Sequence, residues 1–315
     1  MSTIRASVLA RWWFRHGRSY VTYAILTAIA CTMLLPFLWM VLSSFKPLNE
    51  VNELNPLPSK LDLEIFKPGN APGPKQFFAY TRYLVANLTM RNWVPGNYRD
   101  VFKKIPFAKY YFNSLFVAAW VTLLVTWTSS MAAFAFSRLQ WPGRDHVFKL
   151  YLATMMIPGV VTMIPNYWLM VKLHLVDSYL GLIVPAAFTA FGTFLLRQFM
   201  LTIPPSLDEA AMIDGASAWQ VFADLILPLA RPGIIVLTIF TFMGNYASFF
   251  WPLILISREH LRTLPIGMLY FDTEYAQDTT VLMAAAVMNV IPLIVLFLVM
   301  QKHLVKGIQL GAVKG

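Results

Sequence analysis

The chain has 315 residues, of which 58% are hydrophobic and only 13% are charged, and its mean hydropathy is +0.59. A composition this apolar excludes a soluble protein built around one packed core and indicates an integral membrane protein. The formal net charge is +10, but no basic stripe with interleaved aromatic residues points to nucleic acid, and the single cysteine, Cys31, excludes a disulfide framework. In a membrane protein, such an excess of lysine and arginine is expected at the cytoplasmic face.

The N-terminal part of the chain predicts a membrane anchor. Residues 1–20 contain four arginines and no acidic residue, which predicts a cytoplasmic N-terminus. The apolar run over residues 21–44 is long enough to cross about 30 Å of hydrocarbon and too long for the core of a signal peptide. It is therefore predicted to be the first transmembrane helix, which Pro36 could kink.

Residues 45–111 differ from the first span in composition, because they contain eight prolines and scattered charges of both signs. This pattern predicts a long external loop whose N-terminal half is irregular. Two roles for the loop stay open: contact with another protein, or a packing cap on a neighbouring chain.

Five further apolar blocks predict a transmembrane core over residues 112–301. The predicted helices are 112–136, 147–171, 180–200, 233–256 and 281–301. Pro158 and Pro165 are expected to break the second of these, and Pro185 and Gly192 to weaken the third. Six spans in all place both chain ends, including the tail 302–315, on the cytoplasmic side.

A polar stretch, residues 204–232, separates two of these blocks and is called the EAA segment below. Ser206 and Glu209 have the spacing of a capping box, which predicts a helix that begins at Leu207. Gly215 suits the left-handed position just beyond the end of that helix. A second helix is predicted over 218–227, capped by Ser217 and limited by Pro228. On pattern alone, an ordinary interfacial loop is an equal alternative.

The EAA segment also carries a family resemblance. Its residues Glu209-Ala210-Ala211, then Gly215, then Leu225, Leu227 and Pro228 resemble the EAA signature of permease subunits of binding-protein-dependent ABC importers. The flanking sequences IDGAS (213–217) and LPLARPG (227–233) resemble the carbohydrate-uptake, MalG-like branch. The resemblance covers roughly residues 15–45 and 97–315, but not 46–96.

The resemblance implies a fold. It is the all-α integral membrane fold of MetI-like and MalG-like permeases, with six transmembrane helices, a cytoplasmic EAA coupling helix and an enlarged first external loop. The location implied is the bacterial cytoplasmic (inner) membrane, where the chain would cross the lipid several times. The partners implied are a second, MalF-like permease subunit, two ATPase subunits, and a periplasmic or lipid-anchored solute-binding protein.

Two sets of residues acquire a role from the resemblance. The EAA segment would dock on a cytoplasmic ATPase, and its implied contact residues are Glu209, Ala210, Ala211, Asp214, Gly215, Leu227 and Pro228. The last residues, Val313, Lys314 and Gly315, resemble a tail that reaches into the interface between two ATPases. For this tail, a frayed basic end is the alternative.

Several kinds of chemistry leave no trace in the sequence. It contains no G-x-x-x-x-G-K-[ST] phosphate loop, no nucleophile motif, and no metal-ligand spacing among its five histidines. The chain is therefore predicted to be non-catalytic, with no metal or cofactor of its own, and ATP and Mg²⁺ would bind to the partner ATPases. Because the predicted spans almost lack mid-depth ionisable residues, an autonomous secondary carrier is the less favoured alternative.

The predicted span 233–256 contains a polar and aromatic cluster. Asn245, Tyr246, Phe249 and Phe250 are candidates for the substrate path, because sugars are held by hydrogen bonds and aromatic faces. Helix packing and an interfacial aromatic belt are the alternative. The resemblance implies a neutral or acidic sugar or oligosaccharide as substrate, and a non-sugar solute such as a glycerol phosphate ester stays open.

Overall fold

The computed structural model describes residues 2–59, 77–274 and 278–312, and the side chains of residues 19–59, 77–273 and 278–302. The helices within these ranges are α1 (Ser2–Ser44), α2 (Phe77–Thr89), α3 (Gly96–Lys104), α4 (Phe107–Ser137), α5 (Arg144–Ala153), α6 (Gly159–Lys172), α7 (Tyr179–Ile183), α8 (Ala190–Leu201), α9 (Pro205–Ile213), α10 (Ala218–Leu229), α11 (Arg231–Tyr246), α12 (Phe250–Leu255), α13 (Leu264–Glu274) and α14 (Thr279–Ala312). The chain forms two compact units, residues 1–103 with 275–288, and residues 104–274 with 289–315.

Within the described ranges, three helical segments are long and apolar enough to cross a membrane unbroken: Ser19–Ser44, Phe107–Ser137 and Thr279–Lys302. They correspond to the first, second and last predicted spans. α4 begins at Phe107, directly after Pro106, rather than at residue 112. α14 continues to Ala312, so the predicted tail 302–315 is helical up to that residue.

The other predicted spans are interrupted. α5 and α6 form a pair bent by 98°, with the break at Pro158, whereas α6 continues through Pro165. The residue before Pro158 is extended, as the proline ring requires, and this ends the first half. The prediction of one helix over 180–200 is wrong, because α7 and α8 are separated by an irregular stretch that contains Pro185.

The predicted span 233–256 is also two helices. α11 ends at Tyr246 and α12 begins at Phe250. The gap lies just before Pro252. A proline at this position cannot continue an unbroken helix, because it has no N–H and its ring crowds the carbonyl group four residues earlier. The break leaves irregular backbone at residues 247–249, a feature that bears on the pocket described below.

The larger unit packs α4 along α8 and α11. Val121, Val125, Leu196 and Leu237 form its centre and are at most 1% exposed. Because lipid is as apolar as these side chains, close van der Waals packing rather than exclusion of water holds such helices together.

One end of this unit is fixed by a buried asparagine. Asn113 Nδ2 donates to the carbonyl oxygens of His260 (3.0 Å) and Arg262 (2.8 Å), and its Oδ1 accepts from the Tyr179 hydroxyl (2.7 Å). These bonds satisfy the whole amide of Asn113 and anchor the segment that leads into α13. The segment between the predicted spans 233–256 and 281–301 contains a packed helix, since Leu264 and Ile266 of α13 are fully buried.

In the smaller unit, the start of the predicted external loop is organised by Lys46. Its ammonium is buried, donates to the carbonyl oxygens of Glu53 and Asn55, and lies 4.9 Å from the centroid of the Trp39 ring. Asn97 of α3 donates to the carbonyl oxygen of Lys46 at 3.0 Å. Residues 45–59 are thus largely irregular, with Lys46 held by these bonds, and α2 and α3 follow where the loop is described.

Candidate functional site

The EAA segment is a helix, a tight turn and a second helix. α9 ends in a Schellman motif, in which the N–H of Ala216 donates to the carbonyl of Ala211 (2.9 Å) and that of Gly215 to Met212 (3.1 Å). Gly215 has φ +88°, the left-handed conformation predicted for it. A side chain there would meet nothing within 4 Å, so the backbone conformation alone selects glycine.

The start of α9 differs from the prediction. The helix begins at Pro205 rather than at Leu207, with Pro204 as the N-cap, and the Ser206 side chain makes no capping bond. Proline at the first helical position already has the required φ and lacks only an N–H that would be unpaired there. The Ser206–Glu209 capping box therefore does not form.

A capping box does form at the second helix. Ser217 Oγ accepts from the N–H of Gln220 (3.3 Å), and Gln220 Oε1 accepts from the N–H of Ser217 (2.8 Å). α10 contains a π-helical turn, Val221–Ile226, and continues through Pro228 to Leu229 instead of ending at Leu227. A wider turn before a proline accommodates its missing donor and its ring. The chain then bends by 75° into α11.

The tip of the EAA segment presents a mixed apolar and acidic surface. Glu209 and Ala210 are exposed, as are Met212 and Ile213, the latter by 85%. The Glu209 carboxylate has no hydrogen bond or ion pair among the described residues. A free carboxylate beside exposed apolar side chains can accept a charged donor while those side chains are covered by a partner.

The other residues that the resemblance singled out divide between surface and core. Asp214, Gly215 and Pro228 are exposed, whereas Ala211 and Leu227 are half-buried against the bundle core. Val313, Lys314 and Gly315 lie outside the described residues, so their predicted role stays a prediction.

Arg138, just beyond α4, fastens the EAA segment to the bundle. Its Nη1 lies 3.0 Å from Oδ2 of Asp208 in α9, and its Nη2 donates to the carbonyl oxygens of Met200 (2.7 Å) and Ile203 (2.8 Å) at the end of α8. The two charged side chains are only 7% and 12% exposed. One guanidinium therefore joins the ends of α4 and α8 to the first turn of α9. We call this set the Arg138 clamp.

Burial dominates the electrostatics of the clamp. It raises the pKa of the Asp208 carboxyl, an effect that the Arg138 charge opposes and the Glu209 charge reinforces. Asp208 Oδ1 and Arg138 Nε have no hydrogen-bond partner in the described chain. In the sequence, Arg138 lies in the short turn 137–146 between two predicted spans, where it indicates only a cytoplasmic position. The sequence signal that could have predicted this ion pair is the position of Arg138 and Asp208, each of which follows an apolar block.

Three of the four substrate-path candidates lie together. Asn245, Phe249 and Phe250 line a cavity of about 510 Å³ at the break between α11 and α12. Asn166 of α6 lies in the same wall and was missed, although it is a polar residue within a predicted span. We call this cavity the Asn166–Asn245 pocket.

Tyr246 lies elsewhere. It is 2% exposed, and its hydroxyl donates to the carbonyl oxygen of Asn289 in α14 at 3.1 Å. The Tyr246 side chain is directed at α14 and is not among the residues that line the Asn166–Asn245 pocket. The prediction that Tyr246 lines the same path is not supported by this placement.

Comparison with known proteins identifies the family. The sequence profile described as "Binding-protein-dependent transport system inner membrane component" matches residues 4–310, a range that includes residues 46–96. The chain belongs to this family. It is accordingly a permease component of the inner membrane, and a non-catalytic subunit.

Two curated relatives and one solved structure show the range of the family. The permease is 34% identical over 203 residues to the arabinooligosaccharides transport system permease protein AraQ of Halalkalibacterium halodurans, covering 64% of this chain and 73% of that protein. It is 35% identical over 205 residues to the sn-glycerol-3-phosphate transport system permease protein UgpE of Shigella flexneri, with the same two coverages, 64% and 73%. A crystal structure of a bacterial ABC transporter involved in the import of the acidic polysaccharide alginate matches with a TM-score of 0.70 at 22% identity, over 90% of this chain and 95% of that one. That likeness shows the fold.

Proposed function

We propose that the permease forms, with a second, MalF-like permease chain, the translocation path of an ATP-driven importer for a sugar or oligosaccharide. The observation that carries the proposal is the EAA segment: an exposed helix–turn–helix with a free carboxylate at Glu209, fastened to the bundle by the Arg138 clamp. A surface that protrudes from the bundle and is tied to two of its helices is suited to receive motion from another subunit.

In the proposed mechanism, ATP and Mg²⁺ bind to two separate ATPase subunits. Ala210, Met212 and Ile213 fill an apolar cleft on an ATPase, and Glu209 pairs with a basic group there. When the ATPases close, α9 and α10 move as a rigid body, and the Arg138 clamp passes that movement to α4 and α8. Val313, Lys314 and Gly315 would reach the interface between the ATPases.

A neutral sugar is favoured as substrate by the likeness to AraQ, a permease for arabinooligosaccharides. The likeness to UgpE supports the alternative, a glycerol phosphate ester. In either case a periplasmic or lipid-anchored binding protein would deliver the solute, consistent with the binding-protein dependence that describes the family.

We propose that both chain ends and the EAA segment are cytoplasmic. The arginines of residues 1–20, together with Arg138 and Arg144 in the turn after α4, support this orientation. Reporter fusions after Ala312 and within 77–89 test this orientation. Alkaline phosphatase should be active only at the second position, and activity at the first would reverse the topology.

The function is tested with the complete complex in proteoliposomes. The complex contains this permease, its partner permease, the ATPases and the binding protein. We expect ATP hydrolysis and uptake to rise together with one neutral oligosaccharide. Stimulation by sn-glycerol 3-phosphate alone would select the alternative, and uptake by this chain without ATPases would refute the importer assignment.

A further inference from the structure

The Asn166–Asn245 pocket lies where two bundle helices are broken. Gly159, which follows the break at Pro158, and Ser248, in the gap after α11, both line it. In a membrane, irregular backbone is tolerated only where it is buried in protein or faces a water-filled cavity. The position of the pocket therefore favours contact with a polar path rather than with lipid.

Several polar side-chain atoms of the Asn166–Asn245 pocket are available to hydrogen-bond a ligand. Asn245 Nδ2 donates to the carbonyl of Thr241 in its own helix (2.8 Å), which leaves Oδ1 without a partner among the described residues. The Asn166 amide and the Ser248 hydroxyl likewise make no hydrogen bond within the described ranges. Two carboxamides and a hydroxyl thus supply both donors and acceptors to one cavity.

Aromatic rings complete the wall. Trp251 lines the pocket, and its Nε1 donates to the carbonyl oxygen of Gly181 (3.1 Å), which fixes the indole in place. Phe249 and Phe250 lie beside it. A fixed aromatic face next to amides matches the C–H faces and hydroxyl edges of a sugar ring, and a cavity of about 510 Å³ falls in the usual range for small-ligand sites.

The charge of the lining residues indicates which class of ligand the pocket can bind. Among the described residues that line the pocket, none is Asp, Glu, Lys, Arg or His. A phosphate or carboxylate that enters a site of low dielectric constant requires an opposite charge or several aligned donors. From these observations we propose that the Asn166–Asn245 pocket is this permease's own contact site for an uncharged, hydroxyl-rich segment of the transported solute. The proposal rests on the importer function and names the ligand class within it.

The test measures uptake and ATP hydrolysis in the same proteoliposomes, at saturating loaded binding protein. The variants are Asn166→Leu and Asn245→Leu, and the matched control is Thr126→Val, which also replaces a polar group in the bundle but lies outside the pocket. The probes are an arabinose trisaccharide, maltotriose, sn-glycerol 3-phosphate and an alginate trisaccharide. Each leucine variant should reduce uptake of the neutral sugar about five- to tenfold, the equivalent of one lost hydrogen bond, whereas Thr126→Val should leave uptake unchanged.

Three results would overturn the pocket assignment by itself. Uptake that is unchanged in both leucine variants would exclude the pocket while leaving the importer function intact. Preferential transport of either anionic probe would exclude the neutral ligand class. Loss of the partner permease from the purified complex in the leucine variants, but not in Thr126→Val, would make the pocket a subunit contact. If the unmodified complex couples ATP to none of the sugars, the proposed function fails first, and the pocket assignment fails with it.

Discussion

The guanidinium of Arg138 and the carboxylate of Asp208 form a nearly buried ion pair, with Nη1 and Oδ2 3.0 Å apart. The same guanidinium holds two carbonyl oxygens at the end of α8. Because a buried charge without its partner is costly, this arrangement strongly favours one position of α9 relative to α4 and α8. Any force on the EAA segment is therefore applied to the bundle through a stiff connection.

Replacement of Arg138 should show how strong that connection is. Arg138→Met leaves Asp208 buried without a counter-charge and two carbonyls without donors, so we expect the free energy of unfolding to fall by about 3–5 kcal/mol. The measurement is denaturant unfolding of the purified permease in detergent. Arg144→Met is the control, because its ion pair with Asp145 is more exposed and is screened by solvent, so its loss should destabilise much less. Equal losses in the two variants would contradict the clamp.

Gly215 tests the turn of the EAA segment. Gly215→Pro cannot adopt φ +88° and loses the N–H that donates to Met212, so transport should be abolished while membrane insertion stays intact.

Gly215→Ala meets no steric clash and should cost about 1–2 kcal/mol of backbone strain. Gly143, with φ +80° and equally open space, is the matched control. Alanine at Gly143 should cost a similar amount without loss of coupling. Absence of Gly215→Pro from the membrane would indicate a folding role instead.

Asp177 predicts a pH dependence at the opposite end of the bundle. Its Oδ1 accepts from the N–H groups of Arg258 (2.9 Å) and Ser257 (2.6 Å), and these bonds lower the pKa of the carboxyl below its ordinary value of 3.8. With a folded pKa below the unfolded one, the stabilisation is present above about pH 4 and is lost as the pH falls through the folded pKa.

The variant Asp177→Asn isolates that charge. Asparagine keeps the acceptor oxygen and tolerates the φ of +54° at this position. The unfolding temperature of the native chain should exceed that of Asp177→Asn at neutral pH, and the difference should shrink below about pH 4. A difference that is constant down to pH 3 would show that the carboxylate charge has no part in it.

Gly267 tests the packing of α13 on α4. A Cβ at Gly267 would lie 2.2 Å from Cδ2 of the buried Tyr110 ring, so Gly267→Ala should destabilise by about 1–3 kcal/mol. Gly244→Ala, where nothing lies within 4 Å, should be neutral or slightly stabilising in its helix. Thermal unfolding of both variants decides the point. Adding Tyr110→Leu to Gly267→Ala should recover part of the lost stability, because the smaller side chain removes the contact. If it does not, the strain does not come from the Tyr110 ring.

The sequence by itself determined the membrane class, the family and the local geometry of the EAA turn. A left-handed glycine and the Ser217 cap depend on backbone sterics and on hydrogen bonds that span only three or four residues, and both were predicted. The failure at Ser206 was also local. Pro204 and Pro205 precede Ser206, and the fixed φ of proline suits the first helical position. α9 therefore begins before Ser206, which cannot act as its N-cap.

Only the tertiary structure decided which polar residues meet. Arg138 and Asp208, or Asn166 and Asn245, are far apart in sequence, and an apolar pattern does not specify which helix faces which. The break between α7 and α8 lies at Pro185, which was expected only to weaken that span, and the break between α11 and α12 was not predicted. In lipid, hydropathy identifies a segment long enough to span, whereas polar partners in neighbouring helices decide whether its backbone can stay irregular.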